Sequence, residues 1–543
     1  MSETAHDEDR SSERSLTSKI GLALGPALFL SILLFCNFDS PPPADPPEGF
    51  KPTHITAMAA VAILMAVWWI TNAIPLAATA LLPLVLYPAL GIESTKAIAP
   101  VYTNDIIFLF LGGFMIALAM ERWGLHKRIA LGIIRAVGGG PSRLVLSFML
   151  ATAFLSMWIS NTATSIMMLA IGLAIIKAEE AAFGVEKTKN LSVALLLGIA
   201  YAASIGGIAT LVGTPPNISF ARLFTQFFPE AEEISFGRWI LFGLPITVVM
   251  LAIAWFMLTR VFFKSPADLE LSTDVIETER KKLGSIKFEE IVVLIVFILT
   301  AVLWVFRKTL TFGKNEAGDD SAFKIQGWSD LFENGPLFVD GTIAIMMALI
   351  LFLVPVRSPQ TGPKKFSGVL DGEVFKHLPW HIILLFGGGF ALAKGFQISG
   401  LSEFVGSGFK DLKGVEMILI ISIVCFALTF LTELTSNLAT TEMIMPILAG
   451  AAVTMEINPL LLMVPAAVSA SCAFMMPVAT PPNAVVFASG RIKIGQMVRV
   501  GIVLNLIGVA VITLLFFTIG RAVFQIEPGQ PEWAREISTG SEE

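Results

Sequence analysis

Two five-residue segments hold the residues best suited to chemistry in this chain. They are Ser160-Asn161-Thr162-Ala163-Thr164 and Ser436-Asn437-Leu438-Ala439-Thr440, each at the middle of a long apolar stretch, 144–176 and 416–452. Their side chains offer amide and hydroxyl oxygens without net charge, which suit a small hard cation. A polar centre in an apolar stretch too long for one membrane span reads as the tip of a re-entrant hairpin. A turn there leaves backbone N–H groups unpaired at the start of the returning half-helix and carbonyls unpaired at the end of the incoming one. The N–H end suits an anion, and the carbonyl end a cation. Ser156 and Thr432 stand four residues before Ser160 and Ser436, so each pair shares a helical face.

A second duplicated motif is Gly213-Thr214-Pro215-Pro216-Asn217 and Ala479-Thr480-Pro481-Pro482-Asn483. Tandem prolines remove two backbone donors and break a helix. Carbonyls just upstream lose their helical partners and become available to complete a cation site. The second hairpin also carries Glu433 and Glu442, where the first has Met157 and Ile166. An intramembrane carboxyl is a functional candidate that can carry a proton; Glu442 can instead sit near the positive end of the returning half-helix. His126, His377 and His381 read as surface or capping residues, Asp105 as a helix-start residue, and Trp68, Trp69 and Trp380 as packing or interfacial anchors. Cys36, Cys425 and Cys472 lack metal-ligand spacing and read as small buried hydrophobes.

The elements that must position these residues follow from composition. Of 543 residues, 55% are apolar and 15% charged, with a mean hydropathy of +0.76, whereas soluble chains average about 25% charged. That excludes a disordered chain, a disulfide scaffold and a multidomain cytosolic enzyme, and leaves an all-α polytopic membrane protein. The net charge of −6, with no basic stripe, gives no sign of a nucleic-acid partner.

At about 20 apolar residues per crossing, eleven crossings are expected, near 19–37, 56–74, 77–92, 106–126, 191–222, 238–263, 288–306, 341–357, 380–400, 460–488 and 497–522. Two re-entrant hairpins are added to these. The run 20–35 lacks an A-x-A-like cleavage site and reads as a retained first span. With the N-terminus inside, 22 Lys and Arg fall on inside segments and 12 on outside ones. This bias places the N-terminus in the cytoplasm and the acidic C-terminus outside. The expected organisation is a polar tail (1–18), an extra first span and loop (19–55), a first repeat (56–264), a cytoplasmic linker (265–287), a second repeat (288–522) and an extracytoplasmic tail (523–543).

The duplication runs through both halves. Gly112-Gly113-Phe114 returns as Gly388-Gly389-Phe390, Gly124-Leu125 as Gly400-Leu401, and Ser160-Asn161 as Ser436-Asn437, all at an offset of 276. Thr214 to Asn217 returns at 266, and Gly237 and Gly243 as Gly495 and Gly501 at 258. Corresponding spans lie five crossings apart. Five is odd, so the halves have opposite orientations. Inverted repeats with helices interrupted at matching places point to a secondary transporter. There is no G-x-x-x-x-G-K-[ST] segment, so the expected energy source is an ion gradient. The rival from another class is an anion channel. An intramembrane protease would need a paired Asp, a Ser–His or an H-E-x-x-H arrangement, and none is placed in facing spans; the chain reads as no enzyme.

With these motifs, and with Phe110-Leu111-Gly112-Gly113-Phe114 through Glu121-Arg122-Trp123-Gly124-Leu125, the chain from about residue 56 resembles the divalent-anion/sodium symporter family, carriers of dicarboxylates, citrate and sulfate. The resemblance implies a homodimer in the cell (inner) membrane, surrounded by lipid. Each protomer would have a scaffold and a transport domain that moves like an elevator. It implies one sodium site near Ser156, Ser160, Asn161 and Gly213 and a second near Thr432, Thr435, Asn437 and Ala479. It implies substrate contacts at Asn161, Thr162, Asn437, Thr214, Thr480 and Pro481.

Two residues depart from the family pattern. Leu438 replaces a usual Thr or small residue, so a bulky apolar group is expected at the substrate site. Asn72 replaces a common Glu, at an expected scaffold position. The implied function is sodium-coupled uptake of C4-dicarboxylates such as succinate, malate or fumarate. A sodium-independent exchanger and a sulfate or tricarboxylate carrier remain as alternatives.

Overall fold

The computed structural model describes residues 15–38, 53–266, 274–312, 323–357, 368–527 and 529–535. The tails 1–14 and 536–543 and part of the linker, 267–273, lie outside the described residues. Within them the chain is helical almost throughout, as a backbone without water must be to pair its own polar groups. Among the described residues, eight stretches are long and apolar enough to cross a membrane: Leu16–Phe35, His54–Thr71, Thr95–Trp123, Val185–Gly207, Phe236–Phe262, Phe288–Val305, Trp380–Ser399 and Ile494–Val523. Three more expected crossings are shorter apolar helices, Leu76–Leu90, Asp340–Leu353 and Leu460–Ser469.

The breaks fall where the polar motifs lie. The expected crossing 191–222 is Val185–Gly207 and Pro215–Phe227, separated by the non-helical segment 208–214. Likewise 460–488 is Leu460–Ser469 and Pro481–Phe487 around 470–480. Each tandem proline occupies the first turn of its helix, where a missing N–H costs nothing. The two stretches with Ser-Asn centres each form a helix pair: Pro141–Ser156 with Asn161–Phe183, and Met417–Leu431 with Asn437–Thr454.

The two halves interlock. Pro215–Phe227 packs on Asn437–Thr454, and Pro481–Phe487 packs on Asn161–Phe183. Val185–Gly207 is the buried centre of this body, with every residue from 191 to 207 buried. Gly206 lets it meet the backbone of Ala153 on Pro141–Ser156, where a Cβ would overlap. Flanking helices surround the body. Asp105–Trp123 packs on Asp340–Leu353 and Phe288–Val305, and Trp380–Ser399 packs on the Leu76–Leu90 segment. Tyr87 and Tyr102 tie the second group together, donating to Ala391 O at 2.9 Å and Ala80 O at 2.6 Å.

Some local features were not anticipated. Leu125–Val137 is an amphipathic helix, and its Arg128 bonds Glu290 at 2.6 Å. The linker contains a helix, Asp274–Leu283, and Leu310–Phe312 pairs antiparallel with Phe323–Ile325. Cys425 and Cys472 are buried as expected, but Cys36 is exposed at the end of Leu16–Phe35. His126 is buried, with Nδ1 2.9 Å from Met120 O near the end of the preceding helix, and His377 is exposed. Asn72 adopts φ +50°; Asn tolerates this left-handed conformation better than Glu does.

Candidate functional site

Each hairpin turns through a short non-helical break, 157–160 in the first and 432–436 in the second. Ser160 is the N-cap of Asn161–Phe183 and accepts from Ala163 N at 3.2 Å. Its hydroxyl oxygen therefore satisfies a helix end. Ser436 is the corresponding N-cap, without a side-chain cap bond.

Around Asn161 several oxygens converge. Ser156 Oγ lies 2.5 Å from the Asn161 amide and 2.7 Å from Ala203 O. The same end of the amide lies 3.2 Å from both Gly213 O and Ala203 O. With its oxygen inward, Asn161 completes a cluster of four oxygens that holds one proton, that of Ser156. With its nitrogen inward, the two amide N–H groups face three acceptors, Ser156 Oγ, Ala203 O and Gly213 O. The cluster thus suits either a cation or a reversed amide. Gly207 leaves room beside it, because a Cβ there would meet the Asn161 amide at 2.9 Å and Gly213 O at 3.0 Å.

The second half repeats part of the pattern, with three oxygens from Thr432, Asn437 and Ala470. Thr432 Oγ1 donates to Asn437 Oδ1 at 2.7 Å and lies 2.9 Å from Ala470 O. A hydroxyl has one proton, so it cannot satisfy both oxygens at once. Ser156 and Thr432 are both fully buried, whereas Asn161 and Asn437 are half-buried.

Asn217 and Asn483, whose role the motif alone did not reveal, hold the two unwound segments. Asn217 Nδ2 donates to Gly207 O, Ile208 O and Thr210 O at 3.2, 3.3 and 2.8 Å. Asn483 Nδ2 donates to Ala473 O and Met476 O at 3.1 and 3.0 Å. These bonds fix loop carbonyls that lack helical partners. Gly213 N bonds Thr210 O at 3.4 Å, and Ala479 N bonds Met476 O at 3.2 Å in the same place. The signal for both asparagines was present in the sequence: each stands at the same distance after a proline pair.

The halves differ at one support. Met157 O accepts the Thr210 hydroxyl at 2.5 Å. Its counterpart Glu433 uses its side chain, accepting from Phe474 N, Met475 N and Met476 N at 2.7, 2.8 and 2.9 Å and from Asn505 Nδ2 at 2.8 Å. Four donors on one carboxylate match a charged group. Glu433 therefore anchors the second unwound segment.

The remaining expected site residues are placed as follows. Thr162 is half-buried in the first turn of its helix. Leu438, its counterpart, is only 4% exposed and belongs to the apolar core. Thr214 and Thr480 are extended N-cap residues, 2% and 4% exposed, and the Thr480 hydroxyl is buried without a partner. Pro481 is exposed. Thr435 donates to Leu431 O at 3.0 Å and pairs with the Thr440 hydroxyl, beside the Asn437 cluster and not within it. A cavity of about 650 Å³ runs along Asn161–Phe183 from Ala174 to Ala163, with Glu121, Lys127 and Glu279 on its other walls.

The family model for the sodium:sulfate symporter transmembrane region matches residues 42–526. A sodium-dependent dicarboxylate transporter, SdcS, of Staphylococcus saprophyticus is 43% identical over 518 residues, covering 94% of this chain and 93% of its own length. The protein of the same name from Staphylococcus aureus is 44% identical over 517 residues, with the same coverage. Among solved structures, Neisseria gonorrhoeae MtrF, presented as illuminating a class of antimetabolite efflux pumps, aligns with a TM-score of 0.54 at 12% identity. That alignment covers 96% of this chain and 98% of MtrF. The Alcanivorax borkumensis YdaH transporter aligns at 0.52 and 13% identity, covering 78% and 88%. These two share the fold alone.

Proposed function

This chain belongs to the sodium:sulfate symporter family, and on that footing we propose that it is a multi-pass carrier that takes up C4-dicarboxylates such as succinate, malate or fumarate with sodium. The observation that carries this reading is the duplicated oxygen cluster. Ser156, Asn161, Ala203 and Gly213 form one, and Thr432, Asn437 and Ala470 the other. Sodium binds these neutral oxygens and brings positive charge to the starts of two returning helices, Asn161 and Asn437. The dianion then meets sodium, the helix N-termini and the polar groups of Asn161, Thr162, Asn437, Thr214 and Thr480. Sodium binding first accounts for anion binding with few fixed cations nearby.

The finer reading is an elevator. The interlocked hairpins and broken helices form the moving body, and Asp105–Trp123, Phe288–Val305, Asp340–Leu353 and Trp380–Ser399 belong to the scaffold. The halves have opposite orientations, with the N-terminus in the cytoplasm and the C-terminus outside. The cavity along Asn161–Phe183 then opens to the cytoplasm. The working unit is a homodimer in the cell membrane, and Phe288–Val305 carries exposed Ile291, Ile295, Ile298 and Leu299 for lipid or partner contact.

The test is succinate uptake into proteoliposomes, empty or succinate-loaded, with and without an inward sodium gradient. Uptake into empty vesicles that requires sodium and generates current is expected. Uptake only into loaded vesicles and indifferent to sodium would replace the symporter with an exchanger.

A further inference from the structure

Glu442 lies five residues after Asn437, on the inner face of the returning helix of the second hairpin, and is fully buried. One carboxyl oxygen accepts the Ser219 hydroxyl at 2.7 Å, and the other is buried without a partner. Gly389 of Trp380–Ser399 lies directly against it, and any Cβ at 389 would overlap the carboxyl group. A glycine on one helix thus makes room for an acid on the other. A single neutral hydroxyl does not compensate an ionised carboxylate in a dry interior.

No charged group bonds the Glu442 carboxyl among the described residues. On the elements packed around it, Arg222 lies 3.9 Å from Asp105, and Lys394 has Glu93 as its charged neighbour. His54, His381 and Glu403 lie on three of those same helices.

The matching place in the first half is open. The counterpart of Glu442 is Ile166, which is 55% exposed and lines the cavity of about 650 Å³. The counterpart of Gly389 is Gly113, which has Val212 and Trp304 as its neighbours. The two equivalent interfaces are therefore in opposite states: one parted and accessible at Ile166, the other closed over the buried Glu442. Alternating access exchanges these states between the halves, so Glu442 meets water when the other face opens.

We propose that Glu442 is a proton-binding site that gates access: its carboxylate takes a proton from the outer solution when the outer face is open, and only the resulting neutral acid lets that face close over it. The bond formed is carboxyl O–H, and the proton comes from water at the outer face. With the inner face open, Glu442 has no contact with solvent, so the proton returns outward with the empty carrier and is not delivered inside. This inference rests on the elevator and the membrane orientation proposed above.

Two measurements on the full chain test it. In proteoliposomes, sodium-driven succinate uptake is compared between wild type and Glu442→Gln, an isosteric neutral group, while external pH is varied at fixed internal pH. The comparison cancels the protonation of succinate itself. The ratio of wild-type to Glu442→Gln uptake is expected to fall as external pH rises, approaching about tenfold per pH unit, the limit for one proton. A ratio independent of external pH overturns the gating proton. Separately, infrared spectra of the purified proteins are expected to show a protonated-carboxyl band in wild type that Glu442→Gln lacks. Its absence overturns the proton site. Loss of sodium-driven uptake in both proteins at every pH refutes the transport reading, and the infrared band then decides the site independently.

Discussion

Replacing Asn161 with Ala removes one of four oxygens from the first cluster and leaves Ser156 Oγ, Ala203 O and Gly213 O in place. Asn161 is half-buried at the first position of its helix, and the cap bond from Ser160 to Ala163 N does not involve its side chain. Alanine favours the helix, so the fold survives the change. A hydrogen-bonding partner of a charged group contributes about 1.5–3 kcal/mol, and a sodium ligand is taken at the same scale. Because each 1.4 kcal/mol is tenfold, the sodium concentration for half-maximal uptake is expected to rise about 10- to 150-fold. Ser156→Ala acts on the same cluster and is expected to raise it comparably. The two changes together should cost less than the sum, since Ser156 and Asn161 contact each other. The assay is initial succinate uptake into proteoliposomes against sodium concentration, with succinate saturating. An unchanged sodium dependence in Asn161→Ala at normal protein levels refutes the assignment of this cluster to sodium. A loss confined to succinate affinity would leave Asn161 as an anion contact alone.

Three other changes probe the supports. Glu433→Gln keeps the shape but removes the charge that gathers three backbone N–H groups and Asn505; a loss of about 2–3 kcal/mol of stability, with weakened sodium dependence, is expected in thermal unfolding and uptake, and an unshifted midpoint refutes the anchor. Asp340→Asn breaks the buried pair with Arg307 at 2.6 Å, where Arg307 also meets Glu233 at 2.7 Å; unfolding should fall by about 3–5 kcal/mol, more than for the half-exposed Glu233→Gln. Leu438→Thr restores the hydroxyl that Thr162 supplies in the other half, but at a position 4% exposed; a drop in thermal midpoint from about 2–4 kcal/mol of lost packing is expected, with sodium dependence unchanged.

Much of the plan was legible in one dimension because it is written as contrast. Uncharged polar residues inside apolar stretches stand out, and so do paired prolines, so the hairpin turns and both broken helices fall where the motifs are. Their repetition at nearly constant offsets identified equivalent residues before any contact was known. Other features were not legible. Ser160 and Thr435 have the right chemistry for a cation, yet one oxygen caps a helix and the other hydroxyl is bonded within its own hairpin. Leu438, the bulky apolar group next to Asn437, is only 4% exposed, and the sequence does not show that degree of burial. Which of several hydroxyls points into a cluster depends on rotation about a helix axis, and that is set by packing.

What the sequence determined by itself was the solvent and the parts: apolar length requires helices in lipid, proline pairs require breaks, and duplication requires two equivalent sets. What only the tertiary structure decided was which carbonyls meet which side chains. Ala203 and Ala470 carry no sequence signal, since every residue has a carbonyl. They join the clusters because Gly206 lets two helix backbones approach at Ala153, and because Asn217 and Asn483 hold unwound chain that is no longer helical. The same holds for Glu433 and Glu442, two carboxyls in one hairpin. One is surrounded by backbone donors and the other faces a glycine, and only the neighbours brought by folding distinguish them.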